Sequence, residues 1–246
     1  MTVSGLPGTK GRRRLYLMRH GHVDYFSAPR RIGGADVVPL THRGREEATA
    51  AGLALSHVPF DRAVCSGLPR ARETAEIVLS QQAGPVPDLL NDERIRELRG
   101  GGARLRAQIF NLAELSRQIY QAFAEADRPG AAMGEGGEPF VDAYARVCDW
   151  AEHFLIEPDW ATALVVAHEG VNRLLLGWAT GAGLAAVGPF EQDTGCLNVI
   201  DVDVAVPVDG DPPAITRRII KAVNLTPYNY VKHGMNQTSL EAIFSR

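Results

Sequence analysis

The chain has 246 residues, 45% of them apolar and 22% charged, close to the soluble globular average, which excludes a wholly disordered, collagenous or coiled-coil protein and allows one sizeable core. Lys plus Arg number 26 against 29 Asp plus Glu, a net charge of −3 that is too small to point to nucleic acid or an anionic membrane and favours a small diffusible partner. Cys65, Cys148 and Cys196 lack CxxC spacing, which argues against a disulfide framework or a thiolate zinc site. No run approaches the roughly 20 apolar residues of a membrane span. The basic N-terminus precedes only four apolar residues and is not a signal peptide, so a cytoplasmic protein is expected.

In chain order, residues 1–13 lack an apolar period and read as a disordered leader whose arginines are solvated. Leu15 to Met18 is a short buried strand that delivers Arg19-His20-Gly21-His22 at its end. A helix follows over 43–55, a strand over Arg62 to Cys65, and a helix that Ser66 can cap and Pro69 can start. After an apolar piece at 86–90, two helical patterns over 104–126 and 140–155 form a helical insertion, about 100–160, over the active-site rim. The Gly-rich segment from Pro129 to Pro139 between them reads as a lid or a mobile link. Ala163 to Ala167 is a buried strand ending in His168-Glu169-Gly170, with a helix over 172–179 behind it. Leu197 to Val204 and Ile215 to Val223 flank a turn at Asp209 to Pro213 and form a hairpin at a sheet edge, followed by a tail over 225–246. This alternation predicts one α/β domain over 14–246 with a mostly parallel sheet.

His20 and His168 each follow a buried strand, and parallel strands would bring both to one rim, where α/β sheets bind ligands. Arg19 adjoins the first histidine and Arg70 opens the helix after another strand. Imidazoles with paired guanidinium groups, and no glycine-rich phosphate loop, point to a phosphate or carboxylate site.

The runs LYLMRHG, VCSGLPRARETA and VVAHEG resemble the histidine phosphatase superfamily, in its phosphoglycerate-mutase-like branch. The match is distributed over roughly residues 14 to 200 and includes Arg19-His20-Gly21, Asp36, Pro39-Leu40-Thr41, Gly44, Ser66, Leu68, Arg70, Ala71, Thr74, Ala75, Glu97, Gly137-Glu138, Arg146 and His168. The resemblance implies a three-layer α/β/α sandwich and a metal-independent phosphomonoester hydrolase without cofactor. His20 would be the nucleophile that forms phosphohistidine, Arg19, Arg70 and Gly21 would bind phosphate, His168 would complete the pocket and Glu97 would be the acid and base. Four positions depart from the usual pattern. His22, Val23 and Phe26 stand where the family often has Glu, Thr and a phosphate-binding Asn. Glu169 stands where Gly is common, and could bind substrate or donate a proton as in the acid-phosphatase branch.

A mutase is the alternative within the superfamily, although no second anchor for a retained intermediate is evident. A catalytically idle binding module is another, against which the retention of the core residues argues. From a different class, His20-Gly21-His22-Val23-Asp24 resembles the HxHxD metal motif of metallo-β-lactamase-like hydrolases, with His168 and His233 as further ligands. His22 otherwise lies on the pocket rim and His233 sits in a tail that could fold over the site; Arg31 is a candidate contact beyond the phosphate, and Gly100-Gly101-Gly102 reads as a hinge. Nothing in the sequence names the substrate or the oligomeric state.

Overall fold

The computed structural model describes residues 11–25, 34–100, 112–205 and 212–244. Six strands, β1 (Arg12–Arg19), β2 (Arg62–Cys65), β3 (Leu89–Asn91), β4 (Thr162–Ala167), β5 (Leu197–Ala205) and β6 (Ala214–Leu225), form one sheet in the order β3-β2-β4-β1-β5-β6. The first four in that order are parallel, and β5 and β6 add an antiparallel edge hairpin. Ala163 to Ala167 of β4 are all buried, because a central parallel strand is covered on both faces and its sequence is apolar without alternation.

Side-chain parity along each strand divides the core. Leu15, Leu17, Val64, Ala163 and Val165 face α3 (Leu112–Ala124), α4 (Phe140–Ile156) and α5 (Glu169–Thr180). Met18, Ala63, Cys65, Leu164 and Val166 face α1 (His42–Ala54) and α2 (Pro69–Ser80). The result is the three-layer α/β/α sandwich that the resemblance implies. A short C-terminal helix, α6 (Ser239–Phe244), packs beside α3.

Several local readings are corrected. β1 begins at Arg12, so the leader ends earlier than residue 13, and its arginines are partnered: Arg12 pairs with Asp203 at 2.7 Å, Arg14 with Asp201 at 2.6 Å, and Arg13 lies over the Trp160 ring. Opposite charges facing each other across β1 and β5 extend the ladder beyond the apolar run. α5 starts at Glu169, directly after extended His168, and ends at Gly181 with φ +77°, a conformation that glycine adopts without steric cost. Ser66 does not cap α2: the residue before the helix is Leu68, without a side-chain cap, and Pro69 takes the first turn.

The Gly-rich segment is fastened rather than loose, since Ala132 bridges Pro139, Met133 N–H donates to Glu138 C=O and Glu138 N–H donates to Arg99 C=O. Residues 1–10, Gly101 and Gly102 of the hinge, the 104–111 part of the first long helical pattern, most of the 209–213 turn, and Phe26 and Arg31 lie outside the described residues. Among the described residues no helix is long and apolar enough to cross a membrane.

α4 supplies the thickest apolar wedge. Trp150, 1% exposed, stacks on Phe154 at 5.2 Å between ring centres, and Phe154 meets Trp160 at 4.8 Å. Trp150→Ala is expected to cost about 3–5 kcal/mol, read as a fall in the urea midpoint at nearly constant slope.

Candidate active site

Register places the chemistry. Arg19 of β1 lies opposite Ala167 of β4, and Cys65 of β2 lies opposite Val166, so the residues that follow, His20, His168 and Ser66, share one rim. His20 and His168 rings stand edge to face with centres 5.1 Å apart. Arg70, in the first turn of α2, donates from Nε to His20 Nε2 at 3.2 Å and from Nη1 to the Ala35 carbonyl at 2.9 Å. Arg19 donates from Nη1 to the Gln192 carbonyl and ion-pairs through Nη2 with Glu169 at 3.1 Å. All four site side chains are buried, with His168 at 0% exposure and Arg19 at 4%.

The His20 Nδ1 contacts the Gly21 carbonyl at 2.8 Å. A carbonyl only accepts, so this bond assigns the proton to Nδ1 and leaves the Nε2 lone pair toward Arg70. Burial, then Arg70 and Arg19, push the His20 pKa well below its usual value, and His168 is lowered in the same way, by burial and then Arg70. Both imidazoles are therefore neutral at pH 7. His168 Nε2 meets Ser66 Oγ at 2.7 Å, while His168 Nδ1 and Arg19 Nε are buried without a protein partner. Neutral Nε2 nitrogen beside two fixed guanidinium groups is an arrangement suited to attack on an oxyanion centre.

The loop that carries His20 is held by close backbone approach. A Cβ on Gly21 would lie 2.3 Å from the Gly44 carbonyl oxygen, and one on Gly44 would lie 2.2 Å from that of His22. Gly21 N–H donates to Thr74 Oγ1, and His22 N–H donates to buried Glu47 at 2.8 Å, whose other oxygen accepts from Thr194 and Arg43. Glu47, Thr74 and Ser66 are positioning contacts that no periodicity reveals. Thr41 and Gly44, both among the residues of the resemblance, take part: Thr41 caps α1 and Gly44 admits the His20 loop.

Glu97 enters from the segment after β3. Its Oε1 accepts from Leu98 N–H at 3.0 Å and Gly170 N–H at 3.2 Å. Burial raises its pKa, assisted by the charge of Glu169 and opposed by the Leu98 bond, Arg70 and Arg19. The insertion fixes that segment: Arg146 of α4 donates to the Arg94 and Arg96 carbonyls and pairs with Glu138, which also accepts from Arg99 N–H.

The remaining expected residues fall elsewhere. His22 bonds Thr41 Oγ1 at 2.9 Å and lines a cavity of about 210 Å³ with Arg43, Thr194, Met235, Ser239 and Ile243. His233 is exposed, and the tail approaches the site through other groups: Tyr228 Oη donates to the Thr194 carbonyl and Lys232 pairs with Asp193. Among the described residues no group of three His, Cys, Asp or Glu side chains could hold a metal. His20, His22 and Asp24 therefore do not make the HxHxD centre considered above.

The comparisons decide the family. The sequence model of the histidine phosphatase superfamily (branch 1) matches residues 15–207. This chain belongs to the histidine phosphatase superfamily. It is 31% identical to the adenosylcobalamin/α-ribazole phosphatase of Salmonella typhimurium over 190 residues, covering 77% of this chain and 90% of that protein. The 2-carboxy-D-arabinitol-1-phosphatase of Triticum aestivum is 27% identical over 224 residues, covering 90% of this chain and 42% of the wheat protein. Among solved structures, the α-ribazole phosphatase of Shigella flexneri superposes with TM-score 0.62 at 25% identity over 86% of this chain and 96% of that one. A mycobacterial glucosyl-3-phosphoglycerate phosphatase shares the fold at TM-score 0.64 and 23% identity, over 87% of this chain and 99% of its own.

In this histidine phosphatase the Gly21–Gly44 contact sets where His20 stands. Gly44→Ala is expected to keep α1, since alanine is the better helix former, while displacing the His20 loop and lowering turnover of a phosphate ester by about 100-fold. Circular dichroism beside a steady-state assay checks both halves, and unchanged turnover would show that the loop tolerates the shift.

Proposed function

We propose that this enzyme hydrolyses small phosphomonoesters, without metal, through a phosphohistidine on His20. The observation that carries the proposal is the buried neutral His20, whose Nε2 faces Arg70 while its Nδ1 is held by Gly21. In the first step the Nε2 lone pair forms the N–P bond as the P–O bond to the alcohol breaks, and the departing oxygen takes a proton from Glu97. In the second, water attacks phospho-His20, Glu97 carboxylate accepts its proton, and cleavage of the P–N bond frees phosphate and restores the lone pair. Arg19, Arg70, the Gly21 loop and His168 would surround the phosphoryl oxygens, whose charge persists through the transition state, so donors fixed in advance lower the barrier without reorganising.

Relatives named for α-ribazole and for 2-carboxy-D-arabinitol-1-phosphate support a small phosphorylated substrate. Relatives of the phosphoglycerate-mutase type also match, yet no observation at this rim favours retention of an intermediate over hydrolysis. Glu97 fits the acid role better than Glu169, because Glu97 accepts only backbone N–H groups whereas Glu169 is taken up by two arginines.

A panel of phosphomonoesters that includes α-ribazole phosphate tests the reading. Wild type treated with EDTA is expected to release phosphate, His20→Ala to lose it, and rapid-quench samples to contain acid-labile phosphoprotein only with wild type. Turnover abolished by chelation and restored by zinc would overturn the proposal.

The pH dependence follows from the two shifts. A lowered His20 pKa puts the loss of nucleophile on the acid side, below the usual imidazole value of about 6.5. A raised Glu97 pKa keeps the acid protonated above the ordinary carboxylate range, so kcat/KM for an alkyl ester falls as pH rises through it. Glu97→Gln is expected to remove that alkaline limb and to lower kcat/KM about 10²–10⁴-fold with alkyl esters, but far less with p-nitrophenyl phosphate, whose leaving group needs no proton; kcat falls with both, since the second step uses the same carboxylate.

A further inference from the structure

We propose that Glu169 is a positioning residue for Arg19 rather than a proton donor, an inference that rests on the phosphatase reading above. Its carboxylate is buried, and both oxygens are occupied. Oε2 lies 3.1 Å from Arg19 Nη2 and 3.4 Å from the Ser239 hydroxyl; Oε1 accepts from Arg173 Nη2 at 2.9 Å and Nε at 3.1 Å. Each oxygen faces at least one guanidinium N–H, and only the Ser239 hydroxyl beside Oε2 could accept from a protonated carboxyl, so the group is built mainly to accept. Glu97 differs, since its protein donors are the backbone N–H groups of Leu98 and Gly170.

The geometry does for Arg19 what a single contact could not. A guanidinium is planar, and it is held here at two corners, Nη1 on the Gln192 carbonyl and Nη2 on Glu169, with Nε left over. Two tethers fix the plane as well as the position, and therefore the direction in which the remaining N–H bonds point. Glu169 is itself held. Arg173, whose side chain is fully buried, donates to the Gly188 and Val187 carbonyls, lies over the Phe123 ring at 4.7 Å and reaches Glu191 at 3.4 Å. Glu191 in turn accepts from Ser239 N–H at 2.7 Å. One line of alternating charge thus runs from Arg19 through Glu169, Arg173 and Glu191 to the first residue of α6.

The test compares wild type, Glu169→Gln and the double variant Glu169→Gln/Arg173→Gln, which keeps the buried charge balanced where the single variant folds poorly. Substrates are phenyl phosphate and p-nitrophenyl phosphate, which differ in their need for a proton donor, and inorganic phosphate serves as competitive inhibitor. A positioning role predicts that kcat falls by about 10–100-fold, by the same factor for both esters. The alkaline limb due to Glu97 stays in place. The inhibition constant of phosphate stays the same or falls, because Glu169→Gln removes a negative charge beside the anion site without removing Arg19.

Three results would overturn the inference. A loss confined to phenyl phosphate, together with loss of the alkaline limb, would make Glu169 the proton donor. Weaker phosphate binding in step with kcat would make its role merely structural, and wild-type turnover in both variants would leave it with none. His20→Ala in the same assay separates the two layers: if it turns over like wild type, the phosphatase reading falls whatever Glu169 does.

Discussion

Burying two guanidinium groups beside two imidazoles is the constraint around which this rim is organised. Removing an arginine from water costs several kcal/mol unless its N–H groups and charge are met, and Arg19 and Arg70 are 4% and 3% exposed. The protein meets part of that demand. Burial alone would lower the Arg19 pKa, but Glu169, with smaller contributions from Cys196, Tyr25 and Glu97, raises it overall. Carbonyls of Gln192 and Ala35 take further N–H groups. What the protein leaves unmet, Arg19 Nε and His168 Nδ1, is the kind of demand an oxyanion meets.

That same positive field sets the protonation of His20. In water an imidazole near pH 6.5 is half protonated and the proton occupies the lone pair needed for attack. Burial and the adjacent arginines disfavour the imidazolium, so a field that suits an anion also keeps His20 neutral. The carboxylates have to be placed with care in such a field, since one facing the wrong way would occupy the phosphate's donors. Glu169 is turned along the arginines toward Arg173, and Glu97 sits at the N-terminus of α5 against Gly170 N–H.

Much of this was legible in the sequence because parallel strands turn distance along the chain into proximity at a rim. Short buried runs ending in Arg19-His20 and in His168 needed only to be adjacent strands, and β1 and β4 are neighbours. Helix positions followed from apolar spacing, and Gly44 from the resemblance to the family. Contacts decided by side-chain direction were not legible. Ser66 looked like a helix cap because serine favours that position and Pro69 favours a first turn, yet its hydroxyl meets His168 across 102 residues of chain. Arg12 looked solvated because its strand partner Asp203 is 191 residues away. Glu47 and Thr194, 147 residues apart, share a bond that brackets the His20 loop, and neither stands in a motif.

The insertion and the tail act on the site by the same means. Arg146 of α4 grips the carbonyls of the segment that bears Glu97, and Glu138 closes the pair from the Gly-rich stretch. Ser239 of α6 meets Glu169 and Glu191. Each thereby touches Glu169 or the segment that bears Glu97. Variation in these segments can therefore shift Glu97 and Glu169 while the rim of β1, β2 and β4 stays as it is, a route by which one fold comes to carry different sites.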